Sequence, residues 1–253
     1  MGYSITEHFD SAAPQKRWGL SSNLLKGILA VAMVLDHCYF YLENMPIGFV
    51  YLGRLAAPVF FFFMVEGFFH THSRKRYLLR LILSACGMAF GNFILNHVLG
   101  LHQKISQNFF FSLALGLAIL CVIQYIQTHR AYRTYLLYLP VVIFLCAFML
   151  LTEASVFGIM FTLVFYFCHG HKVRLSIVYL VCSLALTLGL AFGPLTAEYL
   201  FYTDPQWMMI FALIPILLYN GTRGRQSKGL QAGFYCFYPL HIWLIYIFKY
   251  LVR

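Results

Sequence analysis

The stretch LLKGILAVAMVLDHCYFYL, Leu24–Leu42, decides the fold class. It is apolar and long enough to cross a bilayer, yet it carries Lys26, Asp36 and His37 inside it. An ionisable side chain in hydrocarbon costs roughly 2.5 kcal/mol or more, so several in one span point to a buried polar site with a task.

Working outward, the remainder of the chain has the same character. Of 253 residues, 61% are hydrophobic and only 10% charged, and the mean hydropathy is +0.76. That composition excludes an ordinary soluble globule and describes a polytopic membrane protein. Apolar runs of the length a helix needs to cross the hydrocarbon core occur at 23–42, 48–70, 77–98, 108–128, 133–151, 154–170, 173–192, 206–220 and 233–251, the sixth and eighth being short. The expected fold is therefore an all-α transmembrane helix bundle of about nine spans. Strand-like alternation is absent, which argues against an outer-membrane barrel. Residues 1–22 hold Glu7, Asp10, Lys16 and Arg17 without an apolar core and read as a cytoplasmic tail, while 23–253 read as a single membrane domain.

Charge placement orients the chain. With the N-terminus inside, Lys16, Arg17, Arg74, Lys75, Arg76, Arg80, Arg130, Arg133, Lys172, Arg174, Arg223, Arg225 and Lys228 fall on the cytoplasmic side. Only Lys104, Lys249 and Arg253 fall outside, which leaves the C-terminus external after an odd number of spans. The net charge of +10 is thus explained by topology, and a nucleic-acid partner has no separate support. Part of the inner charge also suits anionic membrane lipid or a polyphosphate ligand. The seven cysteines lack C-x-x-C pairs and histidine spacing of ligand type, so they read as small buried apolar residues, and no metal is expected.

Candidate functional residues cluster on particular faces. Lys26 and His37 are 37 − 26 = 11 positions apart, which places them on nearly the same helix face about 16 Å apart along the axis. Asp36 lies a step round the helix and addresses a different neighbour. In the second span, Arg54 enters near the outer surface and Glu66 near the inner one. Each wants a partner on another helix: Arg54 could hold a carboxylate such as Asp36 or Glu153, which would make it structural, and Glu66 could equally be a topology-fixing ion pair with the basic turn Arg74-Lys75-Arg76. Asn108, Glu153 and His241 are further polar intrusions, with Tyr238-Pro239 placing a kink beside His241.

Taken together, Leu25-Lys26, Asp36-His37, Gly53-Arg54-x-Ala-x-Pro58, Phe62-x-x-x-Glu66-Gly67-Phe-x-x-Thr71, Tyr77-x-x-Arg80-Leu81, Asn108-x-Phe, Tyr219-Asn220-Gly221-x-Arg223-Gly224 and Phe237-Tyr238-Pro239-x-His241 resemble the TraX family. That family is named for a conjugation protein that acetylates the N-terminus of pilin. More distantly, Lys26-x10-His37 is similar to the Arg-x10-His signature of integral-membrane acyltransferase family 3, with Lys in place of Arg. The resemblance implies a bacterial inner-membrane acyltransferase with acetyl-CoA or another acyl-CoA as donor. The acceptor would be a pilin or other peptide amine, a glycan or a small molecule.

On that resemblance His37 becomes the general base. Asp36 or His241 would assist, and Arg54 or Asn108 would polarise the carbonyl. Lys26, Glu66, Tyr219, Asn220, Arg223 and Arg225 would form the donor site, and Asn108, Glu153 and Tyr238 the acceptor site. Two other classes stay open: a proton-coupled transporter or flippase using Asp36, Glu66 and His241, and a non-catalytic partner in envelope or pilus assembly. The charge bias itself yields a topology prediction. Reporter fusions at Arg76 and Lys104 are expected to give opposite-side signals, with Arg76 cytoplasmic; same-side signals would contradict the orientation.

Overall fold

The computed structural model of the protein describes residues 18–99, 104–190, 196–224 and 227–252. Most of the expected N-terminal tail, Arg225 and Arg253 lie outside these residues. The chain forms α1 (Ser22–Tyr41), α2 (Gly48–Gly53), α3 (Ala56–His70), α4 (Arg74–Leu99), α5 (Phe109–Thr128), α6 (Tyr132–Met149), α7 (Ser155–Phe167) and α8 (Lys172–Gly189). A π turn over Tyr199–Thr203 and a 3-10 helix over Pro205–Ala212 lead into α9 (Leu213–Leu218), and α10 spans Lys228–Val252. Among the described residues there is helix and no sheet, as the all-α reading expects.

Among the described residues, seven helical segments are long and apolar enough to cross a membrane: α1, α2 with α3, α4, α5, α6, α8 and α10. The remaining two expected spans, Ser155–Phe167 and Pro205–Leu218, are shorter apolar helices. At about 1.5 Å per residue the 13 residues of α7 reach only about 20 Å. Their brevity is compatible with their position, because α7 packs against α3, α5 and α8, with Phe161 and Phe165 almost fully buried.

Packing centres on α3 and α5. Val59, Phe61 and Phe68 of α3 and Leu117 and Leu120 of α5 have no accessible surface, while α4, α6 and α8 turn Leu, Ile and Phe outward, as helices facing lipid do. Cys86 and Cys236 share that outward exposure, so these two are not the buried residues their apolar setting suggests. All seven thiols are free. Between α4 and α10, Trp243 donates to Asn92 Oδ1 at 2.8 Å, one of several bonds that keep a polar group inside the bundle satisfied.

The loops sort to two ends. At one, a clasp joins the start of α1 to the loop after α9: Leu20 N donates to Leu218 O at 2.8 Å, Asn220 N to Leu20 O at 3.1 Å, and Ser22 N to Thr222 O at 2.9 Å. Gly19 makes the approach possible, since its φ of 129° is left-handed and a Cβ there would collide with the Leu218 carbonyl. The same end holds Arg74, which donates to Phe68 O and to Gln124, and Arg223, which donates to His70 O at 3.3 Å. At the opposite end Tyr51 donates to Phe201 O at 2.7 Å, and Tyr41 to Gln107 Oε1 at 2.6 Å.

Gly53 sets the crossing of α1 and α2, because a Cβ there would overlap the Asp36 side chain. Gly53→Leu is expected to lower stability by about 1–3 kcal/mol through overpacking, seen as a reduced melting temperature in detergent. Gly27→Ala, where nothing lies within 4 Å, should leave it unchanged; equal effects would show that the crossing tolerates a side chain.

Candidate active site

His37 and His241 meet in the interior. Both are 6% exposed, and His241 Nε2 lies 3.0 Å from His37 Nδ1. Each ring also reaches back to its own helix: His37 Nδ1 is 2.8 Å from Met33 O, and His241 Nδ1 is 2.9 Å from Phe237 O. A carbonyl only accepts, so both Nδ1 atoms carry the proton. His241 Nε2 then presents a lone pair to His37 Nδ1–H, which is shared between it and Met33 O. The remaining nitrogen, His37 Nε2, has no hydrogen-bond partner among the described residues and is left as a bare lone pair.

A cavity of about 370 Å³ opens beside it toward the end away from the clasp, lined by Asp36, His37, Arg54, Phe60, Glu153 and Gln206 among others. Asp36 Oδ1, Arg54 Nε and Gln206 Oε1 are buried there without a partner. The expected ion pair from Arg54 to Asp36 or Glu153 is not formed; the guanidinium instead lies over the Phe40 ring at 5.7 Å. Arg54 caps the short α2 and so follows the α2–α3 corner, which carries it past Asp36. These three groups therefore face the cavity with hydrogen-bonding capacity to spare.

Glu153 is held by Asn108 N at 3.0 Å and by the Tyr238 hydroxyl at 3.2 Å. The Tyr238 hydroxyl in turn accepts from Phe109 N at 3.3 Å. Asn108 caps α5 by accepting from Phe111 N, and its Nδ2 donates to Ala85 O at 2.9 Å. The Asn108 backbone N–H and the Tyr238 hydroxyl thus hold Glu153, the Asn108 side chain ties the start of α5 to α4, and neither residue is among those lining this cavity. A residue that opens a helix spends its acceptor on the free N–H groups there.

A second cavity, of about 490 Å³, opens at the clasp end, with Lys26, Glu66, Arg80, Tyr219, Arg223 and Tyr235 in its wall. Lys26 Nζ sits 5.0 Å above the Phe63 ring. Asn220 is engaged in its turn, accepting from Thr222 N at 2.9 Å and donating to Gly19 O at 3.2 Å, and is not among the residues lining this cavity. Glu66 pairs with His169 Nε2 at 2.9 Å and lies 3.7 Å from His70 Nδ1, in place of the expected pair with Arg74-Lys75-Arg76. Arg74 is diverted to Phe68 O and Gln124, and its guanidinium lies 4.2 Å from the Phe68 ring centre. Sequence reasoning missed His169 and Gln206; in a chain with 10 histidines, one lying in a short loop carries no periodic signal.

A family model described as TraX protein matches residues 21–249, from the clasp through almost all of α10. The chain belongs to the TraX family. The match covers every described element of both cavities in this TraX-family chain. A probable fimbrial assembly protein FimC, serogroup H1, of Dichelobacter nodosus is 28% identical over 239 residues, which is 87% of this chain and 92% of that relative. No solved structure matches the chain.

The Glu153 loop lies outside the membrane-spanning helices, and although the residue keeps surface toward the cavity, the surrounding protein pushes its carboxyl up from the ordinary 4.5 to about 7. The bonds from Tyr238 and Asn108 oppose the rise and Asp36 adds to it. A raised folded value favours the neutral form in the fold. Its stabilisation is therefore complete below pH 4.5 and is lost as pH climbs through about 7. Glu153→Gln, which stays neutral, is expected to flatten the decline in melting temperature over that window; an unchanged slope would mean the carboxyl is solvated.

Proposed function

We propose that this TraX-family protein is an acyl-CoA-dependent acyltransferase of the bacterial inner membrane, with its N-terminus cytoplasmic, that acylates an amine or hydroxyl acceptor. The observation that carries the reading is the bare His37 Nε2 at the wall of the far cavity, its ring held by Met33 O and His241. Such a nitrogen accepts a proton with no prior rearrangement of the site. The relative named as a fimbrial assembly protein favours a pilin or similar peptide as the acceptor.

The donor enters from the clasp end. Lys26, Arg80 and Arg223 meet its phosphates, and the pantetheine arm runs along the first cavity beside α1. The acceptor sits in the far cavity, where its nitrogen or oxygen attacks the thioester carbonyl carbon while His37 Nε2 takes the proton. The carbon–sulfur bond then breaks, and the CoA sulfur leaves with the proton that His37 returns. Arg54 Nε, unpartnered in the same cavity, is the donor available to the developing oxyanion. His241 holds the His37 ring in register and fixes its tautomer.

His37→Ala is expected to cut acyl transfer by about 10²–10⁴-fold while a thermal shift with CoA persists. Lys26→Ala should show the reverse order, losing CoA stabilisation first. Near-normal turnover in His37→Ala would overturn the assignment of the base. Absence of any thermal shift of the wild-type protein with acetyl-CoA would favour transport or assembly over transfer.

A further inference from the structure

The two cavities share one lining residue among those described, Phe60. On α1 the wall passes from Lys26 in the clasp-end cavity to Met33, Asp36 and His37 in the far one. On α3, running the other way, it passes from Ala56 and Ala57 to Phe63, Met64 and Gly67, and on α5 from Phe109 to Phe110 and Leu113. The changeover falls at Phe60 on α3, between Phe109 and Phe110 on α5, and between Lys26 and Met33 on α1. Unlike Phe61, Phe62 and Phe63, which are buried, Phe60 keeps accessible surface although it lies deep in the bundle, as expected of a side chain with a space on either side. Its ring is braced by Phe109 with centroids 6.3 Å apart in an edge contact, and Phe109 is itself packed against Phe61 at 5.6 Å.

We propose that Phe60 is the specificity-determining residue for acyl-chain length, a partition that lets a short acyl group reach His37 and holds back a long one. The proposal rests on the acyltransferase reading. His37 lines only the far cavity, so a thioester delivered through the clasp-end cavity has to present its carbonyl at the level of Phe60. A two-carbon acyl group fits past the edge of a braced ring. A longer chain has two courses, both unfavourable: folding back among Phe63, Met64 and Phe110, which withdraws the carbonyl from His37, or displacing Phe60 and filling the space the acceptor requires. The braced aromatic ring has no unbranched flexibility with which to adapt, in contrast to the nearby Met64.

The test measures CoA thiol release from acetyl-, butyryl- and octanoyl-CoA by the purified full chain in detergent, with hydroxylamine as acceptor and enzyme-free rates subtracted. A thermal shift with CoA alone is recorded in parallel as a measure of folding and donor binding. In a tight apolar site each methylene shifts discrimination by about 10-fold or more. The wild type is therefore expected to prefer acetyl- over octanoyl-CoA by at least about 100-fold. Phe60→Ala should narrow that ratio by about 10-fold or more with its CoA thermal shift retained, and Phe60→Trp should slow even acetyl transfer. If Phe60→Ala fails to fold, Phe60→Leu carries the same expectation in smaller degree. Equal wild-type rates with acetyl- and octanoyl-CoA, or an unchanged ratio in a folded variant, would overturn the partition and leave the acyltransferase reading standing. Absence of thiol release together with absence of a CoA thermal shift in the wild type would overturn that reading, and the partition with it.

Discussion

A bilayer offers no water to a polar side chain, so every such group inside the bundle has to be answered by protein or left facing a cavity. This constraint governs the arrangement around α1. His37 is answered twice, by Met33 O within its own helix and by His241 across the interior. The other two groups fix the ring, and its second nitrogen has no hydrogen-bond partner among the described residues. Asp36, one position earlier, has no such pair of partners and faces the cavity with Oδ1 unbonded.

The same logic separates the framework from the site. Asn92, Asn96 and Asn108 spend their amides on backbone carbonyls, on an indole N–H or on a helix start, and so tie α4 to its neighbours. Glu153 accepts from Asn108 N and Tyr238 and thereby stabilises the corner between α6 and α7. Groups that are satisfied hold the helices, whereas Asp36 Oδ1, Arg54 Nε and Gln206 Oε1, which are not, lie on the wall of the far cavity. The backbone clasp at one end brings Lys26 and Arg223 to a common rim, and the α1–α2 crossing at Gly53 brings Asp36 and Arg54 to the other cavity.

Much of this was legible in residues 24–42 alone. An apolar run interrupted by Lys26, Asp36 and His37 implies a membrane helix with a polar face, and the period of 3.6 residues puts the first and last of these on one side. The element types follow from hydropathy because in lipid the helix satisfies its own backbone. Partners were less legible. Arg54 and Glu66 each read as one half of an ion pair, but which side chain answers them depends on the rotation of other helices about their axes, and that produced Phe40 for the first and His169 for the second. Asn108 and Tyr238 were assigned to an acceptor site on the family resemblance, and the structure adds that Asn108 caps α5 while Tyr238 holds Glu153. Nothing in a single sequence distinguishes a polar group spent on a helix cap from one left open.

By itself the sequence determined the class of the protein, its helical elements, the pattern of basic loops, and the presence of His37 and Lys26 on one face of α1. Those properties depend on local periodicity and on transfer free energies, which each segment carries independently of the others. Only the tertiary structure decided that His241 reaches His37 across 204 positions of chain, that His169 reaches Glu66 across 103, and that the cavities of Lys26 and of His37 meet at Phe60. Such features arise where side chains from different helices fill, or fail to fill, a common space. Close packing of whole helices sets that space, and no single segment encodes it.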